Sequence, residues 1–304
     1  MLHLQTPLVL HTGLSTPQRR IWLKLDNLQP CGSFKLRGIG LLCSQAKAAG
    51  KRRVVCASGG NAGFATAFAA HALGLPADVV VPSTTPEATR QRIASLGATV
   101  TVFGDVWDEA NEHALELAAS GNAEYIPAFD HPVIWEGHST MIDEIVAVLP
   151  EMDAIVASVG GGGLLAGVLT GLLRHGRTDC RVIACETTGA ASFRAALDAG
   201  HPVLIDRIDS IAKSLGARQV ASWPVDAIKQ FPHDSLVLSD ADAIAGVTRF
   251  ADDHRQLVEP ACGVSLAVAY LDHPAIADAH DVVIVVCGGV SIDARTVAQW
   301  AAAA

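Results

Sequence analysis

The sequence predicts an α/β protein of two domains, each built on an open, twisted parallel sheet. Three observations carry this. Runs of β-branched apolar residues alternate with helical patterns from about residue 52 onward. Three of those runs end in glycine-rich turns: Ser58-Gly59-Gly60-Asn61-Ala62-Gly63, Gly160-Gly161-Gly162-Gly163-Leu164 and Cys287-Gly288-Gly289. The alternation also falls into two trains, parted by a stretch rich in proline, aspartate and aromatics. Buried parallel strands read as continuous apolar runs, and right-handed helical crossovers join them.

In the first train, 54–57 reads as a strand and 62–73 as a helix. Residues 77–81 form the next strand, stopped by Pro82. A helix over 86–96 has proline in its first turn and Gly97 as its stop. Strand 99–103 and helix 105–119 complete the train. Residues 125–137 read as a crossover. The second train has strands at 154–159, 182–186, 236–238 and 282–287, with helices near 163–174, 191–199, 240–253 and 263–271. The final 301–304 reads as a short tail.

Composition narrows the function. Half of the 304 residues are hydrophobic and 17% are charged, so a large buried core is expected. The net charge of −9 argues against a nucleic-acid partner, because phosphate backbones require basic patches. No segment reaches the ~20 apolar residues of a membrane helix. The N-terminus, with no basic region and no long apolar stretch, does not read as a signal peptide. Seven scattered cysteines without a Cys-x-x-Cys pair indicate neither a zinc site nor a disulfide framework. A reducing cytoplasm is the expected setting.

A strand that ends in glycines and opens a helix leaves backbone N–H groups free to hold an anion. Three such turns point to a ligand with more than one anionic or polar end. Lys35, in Gly32-Ser33-Phe34-Lys35-Leu36-Arg37-Gly38, is the candidate for a covalent partner. A dinucleotide reading also exists: Gly161-x-Gly163-x-x-Ala166 follows a strand, and Glu186 ends the next one. It leaves Lys35 and the Ser58–Gly63 turn unexplained. Four consecutive glycines instead suggest a nest converging on one phosphate. A P-loop is excluded, since no Gly-Lys-Ser/Thr follows them.

Taken together, Lys35, Asn61 and the glycine nest resemble the fold-type-II pyridoxal-phosphate enzymes, which have the tryptophan-synthase-β-like fold. The likeness is strongest to the L-serine dehydratase/L-threonine deaminase group, in its short catabolic form. Val81-Pro82-Ser83-Thr84-Thr85-Pro86, Ile134-Trp135-Glu136-Gly137-His138, Glu259-Pro260-Ala261-Cys262-Gly263 and Val285-Val286-Cys287-Gly288-Gly289 extend it nearly end to end.

The resemblance implies residue roles. Lys35 would hold the cofactor covalently and, once freed by the substrate amine, take the Cα proton. Phe34 would pack on the pyridine ring, and Asn61 would bond the ring hydroxyl, or simply cap a helix. Gly160, Gly161, Gly162, Gly163 and Leu164 would hold the phosphate through backbone N–H groups. Ser58, Gly59, Gly60, Asn61 and Ala62 would cradle the substrate carboxylate. Ser58 would also relay a proton near the leaving group, with turn capping as its alternative. Cys287 would face the pyridine nitrogen, where a thiol is a weak partner. Gly59 has no proton to give to the far face of Cα, which argues against racemisation.

The resemblance also implies a monovalent cation, potassium, at Glu186, Ala190, Ser192, Leu215 and Ala217, with Gly160 beside it. Glu186 as a turn cap is the alternative. His138 reads as structural. The implied domains are 1–36 plus 131–304, a large cofactor domain, and 37–130, a small one. No regulatory domain follows, so no isoleucine feedback is expected. A homodimer is the family habit. The implied activity is β-elimination on L-serine and L-threonine. Threonine synthase or cysteine synthase-like replacement, a nicotinamide dehydrogenase and a non-catalytic amino-acid-binding module are the alternatives.

Overall fold

The computed structural model describes residues 1–303. Its strands form two sheets. The larger uses β1 (Leu8–Leu10), β2 (Arg20–Lys24), β7 (Ala154–Ser158), β8 (Arg181–Thr187), β9 (His233–Leu238) and β10 (Asp281–Val285). Their order is β1-β2-β10-β7-β8-β9, and only the β1–β2 pair is antiparallel. The smaller sheet is wholly parallel, in the order β5-β4-β3-β6, from β3 (Arg53–Ala57), β4 (Ala77–Val81), β5 (Thr99–Val102) and β6 (Ala123–Tyr125). β7 and β10 lie at the centre of the large sheet, and every residue of both is buried. That double burial is why they read as unbroken apolar runs.

Several elements differ from the sequence expectation. The 125–137 crossover holds the end of β6 and the start of a helix, α5 (Pro132–Val146). His131 caps α5 through its side chain, and Pro132 fits its first position. Pro86 is the cap of α3 (Glu87–Ala94), not part of its first turn. α10 (Pro260–Tyr270) starts at its proline, before Gly263. Residues 301–303 belong to α11 (Ala294–Ala303), so they are not a tail; residue 304 lies outside the described residues.

The strongest departure is α1 (Lys35–Ala48), which begins at the candidate lysine. An ion network pins it. Arg37 and Asp26 are fully buried, and Arg37 Nε donates to Asp26 Oδ2 at 2.7 Å. Arg37 also donates to both Glu144 oxygens, at 2.7 and 2.8 Å, and buried Lys24 donates to Glu144 as well. These contacts join β2, α1 and α5. Breaking such a buried pair costs about 3–5 kcal/mol, because the remaining charge is left unpaired. Two glycines let α1 and α5 touch: a Cβ on Gly38 would lie 2.3 Å from Ile134 O, and one on Gly137 2.5 Å from Arg37 O.

Candidate active site

β2, β10 and β7 are parallel neighbours, so their carboxyl ends open at one edge of the sheet. Ligands of open α/β sheets bind at such strand ends. The segment after β2 reaches Lys35, the loop after β10 carries Cys287, and the loop after β7 is the glycine run. Backbone bonds stitch the first two together. Phe34 N donates to Cys287 O at 3.1 Å, and Gly289 N donates to Gly32 O at 2.9 Å. A Ser33–Gly288 bridge completes the seam.

Lys35 is half-buried, and its Nζ donates to the carbonyl of Ala128. Burial lowers its amine from the ordinary lysine value to about 8, although nearby Cys56 and Cys287 pull the other way. A neutral amine is therefore within reach near physiological pH. The Phe34 ring centre lies 5.2 Å from Nζ and 4.8 Å from the His138 imidazole. His138 is fully buried and structural in its contacts: its Nδ1 accepts from Gly38 N at 3.2 Å. Cys287 is buried, with its Sγ 3.5 Å from Ser158 Oγ.

The glycine run caps α6 (Gly163–Arg174), with Gly162 at φ +91° as the N-cap. Among the described residues, no N–H from Gly160 to Leu164 donates to a backbone carbonyl. Orphan donors at a helix start are an anion site. Phe129, which sequence reasoning passed over, wraps this loop. A Cβ on Gly161 would lie 2.4 Å from its ring, and one on Gly163 would meet its backbone at 2.9 Å. Only bare glycine backbone fits beneath that aromatic.

The second turn leaves β3 and opens α2 (Asn61–Leu73). Here too the Gly59, Asn61 and Ala62 N–H groups meet no backbone acceptor among the described residues. Ser58 caps the turn by accepting from Gly60 N at 3.2 Å. Asn61 is not the helix cap; Gly60 holds that position. The Asn61 amide instead reaches the large sheet's loops. Its Oδ1 accepts from Val290 N at 3.0 Å, and its Nδ2 donates to Glu259 at 2.9 Å. Thr85 fills the space beside Gly59, where a Cβ would meet its hydroxyl at 2.8 Å.

The five candidate cation ligands fall on two turns. Glu186 is fully buried and accepts from Phe193 N and Arg194 N at 2.8 Å each, so it caps α7 (Ser192–Ala199). Burial still raises its carboxyl to about 7. Ala190 is joined to Thr187, and buried Ser192 Oγ has no hydrogen-bond partner. Leu215 lies against Gly160, whose Cβ would stand 2.9 Å from Leu215 Cα. Ala217 joins through its N–H to Leu215 O at 2.8 Å.

The free N–H groups beneath Phe129 fit a phosphate, and the Lys35 amine near Cys287 fits an aldehyde. Comparison with known proteins agrees. The model of the family described as "Pyridoxal-phosphate dependent enzyme" matches residues 1–288. This chain belongs to that family. Over 303 residues the enzyme is 45% identical to a human protein named serine dehydratase-like, covering 96% of this chain and 92% of the other. Human L-serine dehydratase/L-threonine deaminase is 45% identical over 302 residues, with the same coverage. The L-serine ammonia-lyase of the fungus Rhizomucor miehei superposes with a TM-score of 0.91 at 35% identity, covering 99% and 98% of the two chains. The fold is thus that of the fold-type-II enzymes, and pyridoxal phosphate is the cofactor of the family.

Proposed function

We propose that this enzyme is an ammonia-lyase that converts L-serine to pyruvate and L-threonine to 2-oxobutanoate, releasing ammonia. The observation that carries the reading is the seating of Lys35. Its amine is lowered to about 8, and the backbone just before it, at Gly32 to Phe34, is stitched to the Cys287 loop at the sheet edge where the glycine run also emerges. Relatives at 45% identity with serine dehydratase names support the same reaction.

Pyridoxal phosphate, when bound, supplies an electron sink for the pair left on Cα. The chain supplies the rest. The Gly160–Leu164 N–H groups and the α6 terminus would hold the phosphate, and Lys35 would hold the aldehyde carbon. Phe34 and Asn61 orient the ring. The Ser58–Ala62 turn holds the substrate carboxylate, so both anions are met by backbone dipoles without an arginine. Once the substrate amine has displaced it from the aldehyde carbon, Lys35 Nζ would be free to take the Cα proton, and Ser58 Oγ would pass a proton to the β-hydroxyl so that it leaves as water. A thiol backed by the Ser158 hydroxyl is a weaker partner for the ring nitrogen than a carboxylate. That favours prompt loss of the hydroxyl. The enamine released tautomerises and hydrolyses to the keto acid and ammonia.

We also read Glu186, Ala190, Ser192, Leu215 and Ala217, beside Gly160, as a potassium site. Two facts support it: Ser192 Oγ is buried without a partner, and the buried Glu186 carboxylate has no basic side chain within 4.0 Å among the described residues. The ion would brace the glycine loop through Gly160. The domain reading, 1–36 plus 131–304 against 37–130, is supported by largely separate apolar clusters for the two sheets, with Cys31, Leu36 and Ile134 packing on the small sheet's side of those bounds. A cytoplasmic setting is supported by seven buried, unpaired cysteines. No helix among the described residues is long and apolar enough to cross a membrane. The homodimer follows the family resemblance, and light scattering checks it.

One assay tests the activity and the ion together. Purified enzyme with pyridoxal phosphate and L-serine should form pyruvate and ammonia in equal amounts, faster in potassium chloride than in choline chloride. Serine consumed without keto acid would refute the lyase reading, and equal rates in the two salts would refute the ion.

A further inference from the structure

We propose that Glu259 is a positioning residue for this reaction, acting through Asn61. The proposal rests on the proposed contact of Asn61 with the cofactor ring. Glu259 is 1% exposed, and it stands just before α10, where Pro260 takes the first helical position. Among the described residues no basic side chain lies within 4.0 Å of its carboxylate. Neutral donors from three separate segments satisfy it instead. Asn61 Nδ2 donates to Oε2 at 2.9 Å, Ser214 Oγ donates to the same oxygen, and Ser291 N donates to Oε1 at 2.8 Å.

Each donor belongs to a different part of the cleft. Asn61 opens the helix after the small sheet's turn. Ser214 lies on the 3-10 turn Lys213–Leu215, whose Ser214 O would stand 3.0 Å from a Cβ on Gly160. Ser291 follows the Cys287-Gly288-Gly289 loop. Gly289, at φ +125°, leaves room for the acid, since a Cβ there would fall 2.1 Å from Glu259 Cδ. One carboxylate therefore holds the small sheet's turn, the support of the glycine loop and the Cys287 loop in register. Asn61 Oδ1 is fixed in turn by Val290 N at 3.0 Å, so its orientation depends on this tie.

Glutamine at 259 cannot reproduce it. Three donors converge on two acceptor oxygens, and an amide offers one oxygen and one donor group. Its NH2 must face either the Asn61 amide or the Ser291 N–H. Leaving a buried donor unsatisfied is costly, so Glu259→Gln should lower kcat/KM for L-serine about tenfold or more. Residues that act as one unit are not additive. The loss should therefore shrink to about twofold or less when Asn61→Ala is already present.

The test is a cycle of wild type, Glu259→Gln, Asn61→Ala and the double variant. The cofactor-loaded enzymes are read by kcat/KM and melting temperature. The cofactor-free proteins are read by amide hydrogen exchange over residues 58–66. The expected result is a non-additive cycle, a melting temperature lowered by several degrees with cooperative unfolding retained, and faster exchange at 58–66 in Glu259→Gln. Equal losses in both backgrounds, or no loss at all, would overturn the proposal. If Glu259→Gln does not fold, Ser214→Ala removes a single donor and takes its place in the cycle, under the same outcomes. An inert wild type would count against the lyase reading alone, because hydrogen exchange in the cofactor-free protein still reports the tie.

Discussion

Lys35→Ala is expected to abolish L-serine turnover and the visible absorbance of the cofactor-loaded protein, while leaving the fold intact. The backbone just before Lys35 is joined to the Cys287 loop, which fixes where its amine is presented. Loss of the nucleophile and base of one reaction removes rate by several orders of magnitude. The side chain is half-buried and donates to one carbonyl, so its removal should cost little stability. A ketoacid assay, a spectrum and a melting curve check the three parts. Turnover within tenfold of wild type would sink the assignment.

The same amine predicts a pH profile. In the cofactor-free protein its protonated form dominates below about 8, because burial lowers the pKa from the lysine value to about 8. The neutral amine is the form that reacts with an aldehyde. Cofactor loading, followed by absorbance, should therefore speed up with rising pH and level off above about 8. An inflection near the ordinary lysine value would contradict the environment described for Nζ.

Gly161→Ala is expected to be the second most damaging change. Its Cβ would fall 2.4 Å from the Phe129 ring, whose own backbone lies against Gly163. A ring anchored that close to the loop cannot yield as a flexible chain end does. Overpacking of this kind costs about 1–3 kcal/mol, and here the strain falls on the loop whose N–H groups hold phosphate. Cofactor affinity should drop by about tenfold or more, read by titration of the cofactor-free protein. Phe129→Leu in the same chain should restore part of it. Unchanged affinity in Gly161→Ala would mean that the loop does not carry the phosphate.

Much of this was legible in the residues because fully buried strands leave a plain signature. Val282 to Val286 and Ala154 to Ala157 are apolar without interruption, and the glycines after them mark the turns. β2 was not legible, because its last residue, Lys24, is a buried charge that ends the apolar run. Its pairing with Glu144 is remote in sequence. α5 was hidden by Pro132 and Gly137, which read as breakers but serve as a first-turn residue and a helix contact. Among site residues, Phe129 carried no local signal, and Glu259 stood in a motif of the resemblance with no role attached to it. Phe129 matters through its fit over glycines far along the chain, and Glu259 through donors from three loops. Asn61 was placed correctly in the turn, yet its amide faces Glu259 and Val290, which no spacing rule encodes.

The covalent seat of the cofactor is most directly tested by reducing the loaded enzyme with borohydride and mapping the label by peptide mass spectrometry. The account predicts one pyridoxyl phosphate group per chain, on the Nζ of Lys35 in Ser33-Phe34-Lys35-Leu36-Arg37. A label on any other lysine, or none on a protein that turns over L-serine, would contradict it.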